Sequence, residues 1–552
     1  MCGIFAILDQ IQDKNDIYPY YNKLSFRGPD KSSQLISISK NVLFGFHRLC
    51  IVGDDEFGMQ PFIQYHTINN EQYKFSLICN GEIYNYNHLI KTYQLQVTDN
   101  CSDCEILISL YIILCMKKEN NLSVLINKLD GEFAFIMCVE KCVDIQKGDI
   151  IDKYKKLIIC RDHVGVRPLF IGAKNNRLEG ICISSEMKAI PNEYKNIDII
   201  YPGTYKGLDK IYFKYYKDKY FYSPKNRLNY YDAIRRALEF TVANMLQSSE
   251  KKIGAFLSGG LDSSIIVSLL SKYIPNLNVF SVGIGNTDDI INAKKLIQFL
   301  NTKFNRNISH YILNITTDDI IKNIEDTIYK IESFDTTTVR ASIPQNILAK
   351  WIKNKFDVNV LFSGEGADEL FNGYLYSRNA PSDQKLGKDS ARLVNELVFY
   401  DLLRTDRTVS GNGLEVRVPF LSKQVVKLAL TIPASEKKTS EFIIEKRILR
   451  KSFMDILPKC IYLRRKEAFS DSVSSKKGNS VDSIKQYAET MYTDNDLNNA
   501  KYEHCPPRTK EELLYRHIFD KYYKGRERVI PDFWRLQWTD IIDPSATKLN
   551  TY

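Results

Sequence analysis

The sequence predicts two folds in series. An α+β first half built on antiparallel strands is followed by an α/β second half with a parallel sheet and a helical C-terminal part. Three observations predict it. Short apolar segments separated by turn residues crowd the stretch from Gly3 to about Ala189. Beyond Leu228, strand-like segments alternate with long helical patterns, the spacing of βα units. The 552 residues also exceed what one ordinary core serves.

The strand candidates of the first half are GIFAIL, NVLFGFHRL, KFSLICNGEIY, GEFAFIMCV, KLIICRD, PLFIGA and ICISSE. One helix-like run, Asp103–Lys118, interrupts them; its apolar core ILISLYIILCM is far too short to span a bilayer. YPGTYKGLDK and the Lys- and Tyr-rich stretch to about Leu228 mark the junction. KIGAFL, LNVFSVGI and VNVLFSGE then read as parallel strands, and helical periodicity dominates from Asp389 onward.

Composition narrows the classes. Hydrophobic content of 44% and charged content of 26% are those of a soluble globular chain. A net charge of +10 over 76 basic and 66 acidic residues suits anionic substrates and argues weakly for nucleic acid. No cationic start with an apolar h-region precedes the first strand, and 12 cysteines in this length are no disulfide framework, so a cytoplasmic location with reduced thiols is expected. No nucleic-acid or membrane partner is expected.

Two parallel strands end in small-residue turns, FLSGGLDSS (Phe256–Ser264) and LFSGEGADE (Leu361–Glu369). Ligands of open α/β sheets sit beyond the carboxyl ends of strands, where these turns fall. Gly259 and Gly260 let backbone N–H groups approach an anion, Ser258, Ser263 and Ser264 add hydroxyls, and the following helix N-terminus favours negative charge. Asp262 and Asp368 are hard oxygen ligands of the kind that hold Mg²⁺ against phosphates. The chain lacks G-x-x-x-x-G-K-[ST], so this is not a γ-phosphoryl-transfer loop. SGGLDSS resembles the pyrophosphate loop of the ATP pyrophosphatases. One such turn would pass as a ligand-free βα connection; two at strand ends point to a nucleotide.

An adenylating site gives Cys2 a context. If Met1 is removed, Cys2 owns both a thiol and an α-amine, and the amine can serve as the thiol's base. Such a cysteine can release ammonia from a side-chain amide, and an activated carboxylate consumes it.

The ordered set MCGI, FRGPD, HRLCIV, NGEIYN, SDCE, RDHVGVRPL, SSEMKA, SGGLDSS, TTVRAS, SGEGADELFNGY, EVRVPFL and RRKEAFSD resembles the glutamine-dependent asparagine synthetase family over nearly the whole chain. The resemblance implies an N-terminal-nucleophile αββα glutaminase sandwich over residues 2–205. A linker follows over 206–224, then an ATP-pyrophosphatase-type synthetase domain over 225–552. It implies that Cys2 attacks the glutamine amide and that the Asn80 side chain and Gly81 N–H form the oxyanion hole. Arg48 would clamp the α-carboxylate, with Leu49, Cys50, Ile51, Val52, Glu82 and Asp103 around the amino-acid end. In the second half it places Phe256, Ser258, Gly259, Gly260, Asp262, Ser263, Val282, Ser363 and Gly364 around ATP. Asp262 and Asp368 fall at Mg²⁺ positions, Lys466 at a phosphate-neutralising position, and Thr338, Arg340, Glu365 and Arg417 near the aspartyl intermediate and pyrophosphate. Glu365 and Lys466 are thereby implied in catalysis. The substrates implied are glutamine, aspartate and ATP, and a homodimer is a compatible assembly. Coexisting ammonia-releasing and ammonia-consuming sites imply an apolar passage between them, with RDHVGVRPL and SSEMKA as wall candidates.

The sequence departs from the family pattern at Phe26 (often His), Phe256 (often aliphatic) and Ser472 (often Gly), none of which removes a group the chemistry needs. Relatives such as the β-lactam synthetases lack the N-terminal cysteine. A silent scaffold would have lost Cys2, Asp262 or Glu365. CSDC has the spacing of a metal pair but no second pair accompanies it; its useful residue is Asp103. The seven histidines read as packing or surface residues.

Overall fold

The computed structural model describes residues 1–11, 13–53, 58–97, 102–116, 122–144, 149–150, 156–174, 180–207, 212–214, 229–440, 443–465 and 480–541. Lys466, Ser472 and Cys101 lie outside these described residues. The chain divides into two compact units, Met1–Lys217 with Gln247–Lys251, and Asp218–Leu246 with Lys252–Tyr552.

The first unit holds two antiparallel sheets. One runs in the order β12 (Asn196–Ile199), β10 (Phe170–Ala173), β11 (Ile181–Ser184), β1 (Gly3–Leu8), β4 (Val42–Arg48), β2 (Lys31–Ser32), with β3 (Ile36–Ser39) also on β4. The other runs β14 (Tyr212–Lys214), β13 (Thr204–Lys206), β9 (Lys156–Arg161), β7 (Gly131–Asp144), β6 (Glu71–Ile83), β5 (Phe62–Ile68), with β8 (Asp149–Ile150) on β7. Alternation along the strands builds the sandwich. Ile4, Ala6, Phe44, Phe46, Ile78, Ala134, Ile136 and Ile159 meet between the sheets. The intervening residues Phe75, Leu77, Cys79, Phe133 and Phe135 face outward onto the helix Ile106–Tyr111. β1 is buried at every position because it is central and covered on both faces, which is why GIFAIL reads as an unbroken apolar run.

The helix expected over 103–118 begins at Ile106 and continues as a π-helical turn over Ile112–Met116. Asp103 precedes it in a turn, buried and held by the strand it faces: its Oδ2 accepts from the Ile83 N–H at 2.5 Å.

The second unit carries a wholly parallel sheet, β17 (Ser309–Asn314), β16 (Asn278–Gly283), β15 (Ile253–Phe256), β18 (Val360–Phe362), β19 (Glu415–Arg417). Helices Leu261–Leu270, Asp288–Phe304 and Thr336–Lys355 follow the strands. β15 and β18 are neighbours, so the turns that end them lie side by side. β19 is a finding beyond the helical pattern expected after Asp389; three residues become a strand by pairing with β18.

Candidate functional site

In the first unit, β1 and β4 pair Gly3 with His47, which sets Cys2 beside the chain leaving β4. The Cys2 thiol points at the Leu49 carbonyl, 3.7 Å away, and the Arg27 Nε donates to the Cys2 carbonyl at 3.0 Å. Burial pushes this thiol up to about 11, against the lowering effects of the chain-terminal ammonium, Leu49 and Arg48. Met1 is itself buried, its sulfur against the Arg27 and Arg167 guanidinium groups.

Arg48 ends β4, and the loop behind it wraps its head: Nη2 donates to the Val52 and Gly53 carbonyls at 3.2 and 3.3 Å. Leu49, Cys50, Ile51 and Val52 are all buried, and Asp30 Oδ2 fixes the loop by accepting from the Cys50 N–H at 2.7 Å. Asn80 and Gly81 lie on β6, opposite Ala134 and Phe133. Asn80 is fully buried, yet neither polar atom of its side chain has a hydrogen-bond partner among the described residues. A buried amide without partners costs stability, which makes Asn80 a candidate for a ligand contact. Glu82 follows on the same strand, close enough to Cys2 to raise its thiol further. Cys104 Sγ donates to the Gly81 carbonyl at 3.4 Å, tying the Asp103 turn to the same strand.

His47 is structural. It stacks on Tyr21 with ring centroids 4.1 Å apart and bonds Ser32 at 2.6 Å and the Tyr21 carbonyl at 3.1 Å; burial lowers it to about 4. RDHVGVRPL forms a closed polar loop. Arg161 donates to the Arg167, Ile200 and Gly165 carbonyls, and Asp162 accepts from the Gly165, Val166 and Arg167 N–H groups. In SSEMKA, Glu186 pairs with Arg27 at 2.8 Å and Lys188 at 2.6 Å. Both motifs are buried, and their partners include Arg27, Ile200 and Glu132 from outside them.

In the second unit, Phe256, Ser258, Asp262, Ser263, Val282, Thr338, Ser363, Gly364, Glu365 and Asp368 line one cavity of about 210 Å³. Gly259 and Gly260 belong to the same loop. Gly259 needs its positive φ of 80°, and a Cβ there would meet the Asp289 carbonyl at 2.1 Å. A Cβ on Gly364 would meet the Ser263 nitrogen at 2.8 Å, so the two turns touch through a glycine. Ser258 and Ser263 hydroxyls bond each other at 3.0 Å across the loop.

Arg340 and Arg417 are not brought to this cavity. Arg340 forms a bidentate pair with Glu511 at 2.7 and 2.6 Å, and Arg417 pairs with Glu415 at 2.8 Å; both arginines are buried. Among the described residues the cationic side chain lining the cavity is Arg404, which pairs with Glu365 at 3.0 Å and Asp401 at 2.9 Å and donates to Gln345 at 2.6 Å. Burial opposes its charge, but Glu365 and Asp401 outweigh burial and raise it. Glu369 also lines the cavity, accepts from Tyr374 at 2.5 Å, and is pushed up to about 8 by burial and by Asp401 and Asp368. Trp534 and Tyr400 close the wall.

Two further cations stand at the loops. Lys446 pairs with Asp262 and, at 2.6 Å, with Asp368. Arg464 pairs with Asp289 at 2.6 Å and donates to the Gly259 carbonyl at 3.1 Å, so part of RRK borders the loop rather than solvent. Sequence reasoning missed Arg404, Asp401, Glu369, Tyr374, Lys446 and Arg464. Glu369 and Tyr374 lie inside SGEGADELFNGY and were legible there; Asp401 and Arg404 read as an ordinary helical ion pair. Asp262 and Asp368 converge on one ammonium, so the two carboxylates can bracket one cation, and hard oxygen donors of this kind suit a divalent ion such as Mg²⁺.

Comparison with known proteins matches a family described as "Glutamine amidotransferase domain" over residues 1–223 and one described as "Asparagine synthase" over residues 233–395 and 378–543. A probable glutamine-hydrolysing asparagine synthetase of Acanthamoeba polyphaga mimivirus is 38% identical over 100% of both chains. The glutamine-hydrolysing asparagine synthetases of Gallus gallus and Homo sapiens are 33% and 30% identical, over 100% of this chain and 99% of theirs.

Proposed function

This chain belongs to the family of glutamine-hydrolysing asparagine synthetases, and from that premise we propose how its residues divide the work. The reaction is glutamine-dependent, ATP-driven synthesis of asparagine from aspartate. The observation that carries the residue assignment is the convergence of Asp262, Asp368 and Glu365 on one cavity beyond the ends of β15 and β18.

In residues 2–205, Met1 is removed and the Cys2 α-amine takes the thiol proton as sulfur attacks the glutamine amide. Charge then appears on the amide oxygen, and the Asn80 Nδ2 and Gly81 N–H receive it; the unpartnered buried Asn80 amide supports this role. Arg48 holds the substrate carboxylate, while Leu49, Cys50, Ile51, Val52, Glu82 and Asp103 shape the pocket for its amino-acid end. The segment over 206–224, whose Tyr212–Lys214 pairs in the first unit's sheet, leads to residues 225–552, which activate aspartate.

There the SGGLDSS loop, Phe256, Val282, Ser363 and Gly364 hold ATP, and Asp262 and Asp368 hold Mg²⁺. When bound, Mg²⁺ neutralises phosphate charge and eases departure of pyrophosphate. The aspartate α-carboxylate meets Arg404 and its α-ammonium meets Glu365 and Asp401, which directs the side-chain carboxylate toward the α-phosphorus; Thr338 lies on the same wall. Burial, Asp401 and Asp368 raise Glu369, which favours its neutral form beside Tyr374. Arg340 and Arg417 act through packing, because their charges are committed to Glu511 and Glu415. Lys466 remains assigned to phosphate neutralisation on motif grounds. A homodimer and a cytoplasmic location complete the reading; no helix among the described residues is long and apolar enough to cross a membrane.

Incubation with ¹⁵N-amide glutamine, aspartate, ATP and Mg²⁺ tests this. Labelled asparagine, glutamate, AMP and pyrophosphate are expected in equal amounts. ADP as the nucleotide product would overturn the pyrophosphate-loop assignment, and asparagine formed only from added ammonium would overturn the Cys2 assignment.

A further inference from the structure

Lys446 is buried at the floor of the loops with its ammonium between the two carboxylates assigned above to the divalent cation. Its position is built rather than incidental. The backbone at Lys446 is left-handed, φ 53° and ψ 31°, immediately before the helix Arg447–Phe453, a conformation that non-glycine residues adopt when their surroundings impose it. The residue before it, Glu445, is fully buried and pairs with Arg450 at 2.6 Å, while Arg450 also holds the Glu445 and Tyr462 carbonyls at 2.7 and 2.9 Å. On the opposite side Gly373 leaves the space: a Cβ there would meet Asp368 Oδ1 at 1.9 Å and Lys446 Cε at 2.2 Å.

We propose that Lys446 is a resident counter-ion that bars the bare divalent cation, so that the metal enters only as its complex with the nucleoside triphosphate. The proposal rests on the assignment of Asp262 and Asp368 as the metal carboxylates. Before nucleotide arrives, the ammonium neutralises half of the charge of the pair and occupies the direction in which both aspartates point. A bare divalent ion must displace the buried ammonium from between the two carboxylates, while the nearby cavity carboxylates are already engaged, Asp289 by Arg464 and Glu365 and Asp401 by Arg404. The metal–triphosphate complex brings that anion with it. In that complex Asp262 and Asp368 would hold the metal and Lys446 would turn to a phosphate oxygen. Proton and charge balance are kept, because no group changes protonation. The arrangement also prevents a metal ion from sitting in the cavity without a nucleotide.

The test reads bound Mn²⁺ by its paramagnetic resonance signal, with no turnover. The folded chain with Mn²⁺ alone is expected to bind it weakly, and addition of α,β-methylene-ATP to bring it into the tight range. Lys446→Gln is expected to bind Mn²⁺ without nucleotide at least about tenfold more tightly than the parent, the effect of removing one close like charge. Lys446→Arg, which keeps the charge, is expected to exclude Mn²⁺ as the parent does. An unchanged urea midpoint for the second unit in each variant reports that this unit is folded. Tight binding of Mn²⁺ alone by the parent chain overturns the proposal without any variant, as does equal nucleotide-free binding by the parent and Lys446→Gln. If Asp262→Asn and Asp368→Asn bind Mn²⁺ with the analogue as the parent does, the carboxylate assignment itself fails and the proposal falls with it.

Discussion

The two units solve opposite electrostatic problems. In the first unit the candidate site has few charges, with Arg48 wrapped in carbonyls, Glu82 near the Cys2 thiol, and the Asn80 side chain without a hydrogen-bond partner among the described residues. Around Asp262 it is built from charges set against one another: Lys446 stands between two aspartates, Arg404 between Glu365 and Asp401, and Arg464 beside Asp289. The difference follows from when charge appears. Amide cleavage creates an oxyanion only in the transition state, so neutral donors held in place stabilise it without being neutralised beforehand. A nucleoside triphosphate is charged before it binds, so its site must store cations, and stored cations in a buried place need anions beside them.

Removing the nucleophile should separate the two regions most sharply. Cys2→Ala is expected to lower glutamine-dependent synthesis about a thousandfold or more while synthesis from ammonium persists. Steady-state rates with each nitrogen donor measure it, and intact mass of the active chain should begin at Cys2. Loss of both activities would mean that the thiol holds the fold.

The Arg340 pair tests whether a buried charge in the second unit acts through stability or through substrate. Arg340→Met leaves Glu511 buried without its partner, and unfolding of the second unit is expected to become easier by about 3–5 kcal/mol in a urea titration. A normal midpoint with a raised KM for aspartate would return Arg340 to the substrate.

Asn80→Ala is expected to lower kcat for glutamine hydrolysis about 10²–10³-fold with little change in KM, because the amide acts on charge that develops after binding. Its removal also deletes a buried group without partners, so the melting temperature of the first unit should not fall. A fall in stability with unchanged kcat would show the amide to be structural.

The smallest effect concerns Glu369. Its folded value is pushed up to about 8, above the ordinary 4.5 of an unfolded glutamate. Between those values the folded chain holds more protons than the unfolded one, so this group's contribution to stability declines as pH rises through that window. Glu369→Gln should flatten the fall of the melting temperature between pH 5 and pH 8. An unchanged slope would mean that the carboxyl is already ionised beside Tyr374.

Much of this could be read from residues near one another in the chain. The short apolar runs GIFAIL and GEFAFIMCV, and the small-residue turns after KIGAFL and VNVLFSGE, specify strands and the chemistry at their ends, because apolar patterning and glycine freedom are local properties. The placement of Cys2 beside the chain leaving β4 and of Asp262 beside Asp368 follows once the strands pair as their patterns allow. What the tertiary structure alone decided is where the cations go. Arg340, Arg404 and Arg417 are indistinguishable as arginines in a sequence, yet Arg340 is claimed by Glu511, 171 residues away, and only Arg404 faces the cavity. Lys446 reaches Asp262 across 184 residues. β19 likewise becomes a strand only because β18 is there to pair with it. Charge pairing acts through space and carries no periodicity along the chain, so partners this far apart become visible only when the fold has brought them together.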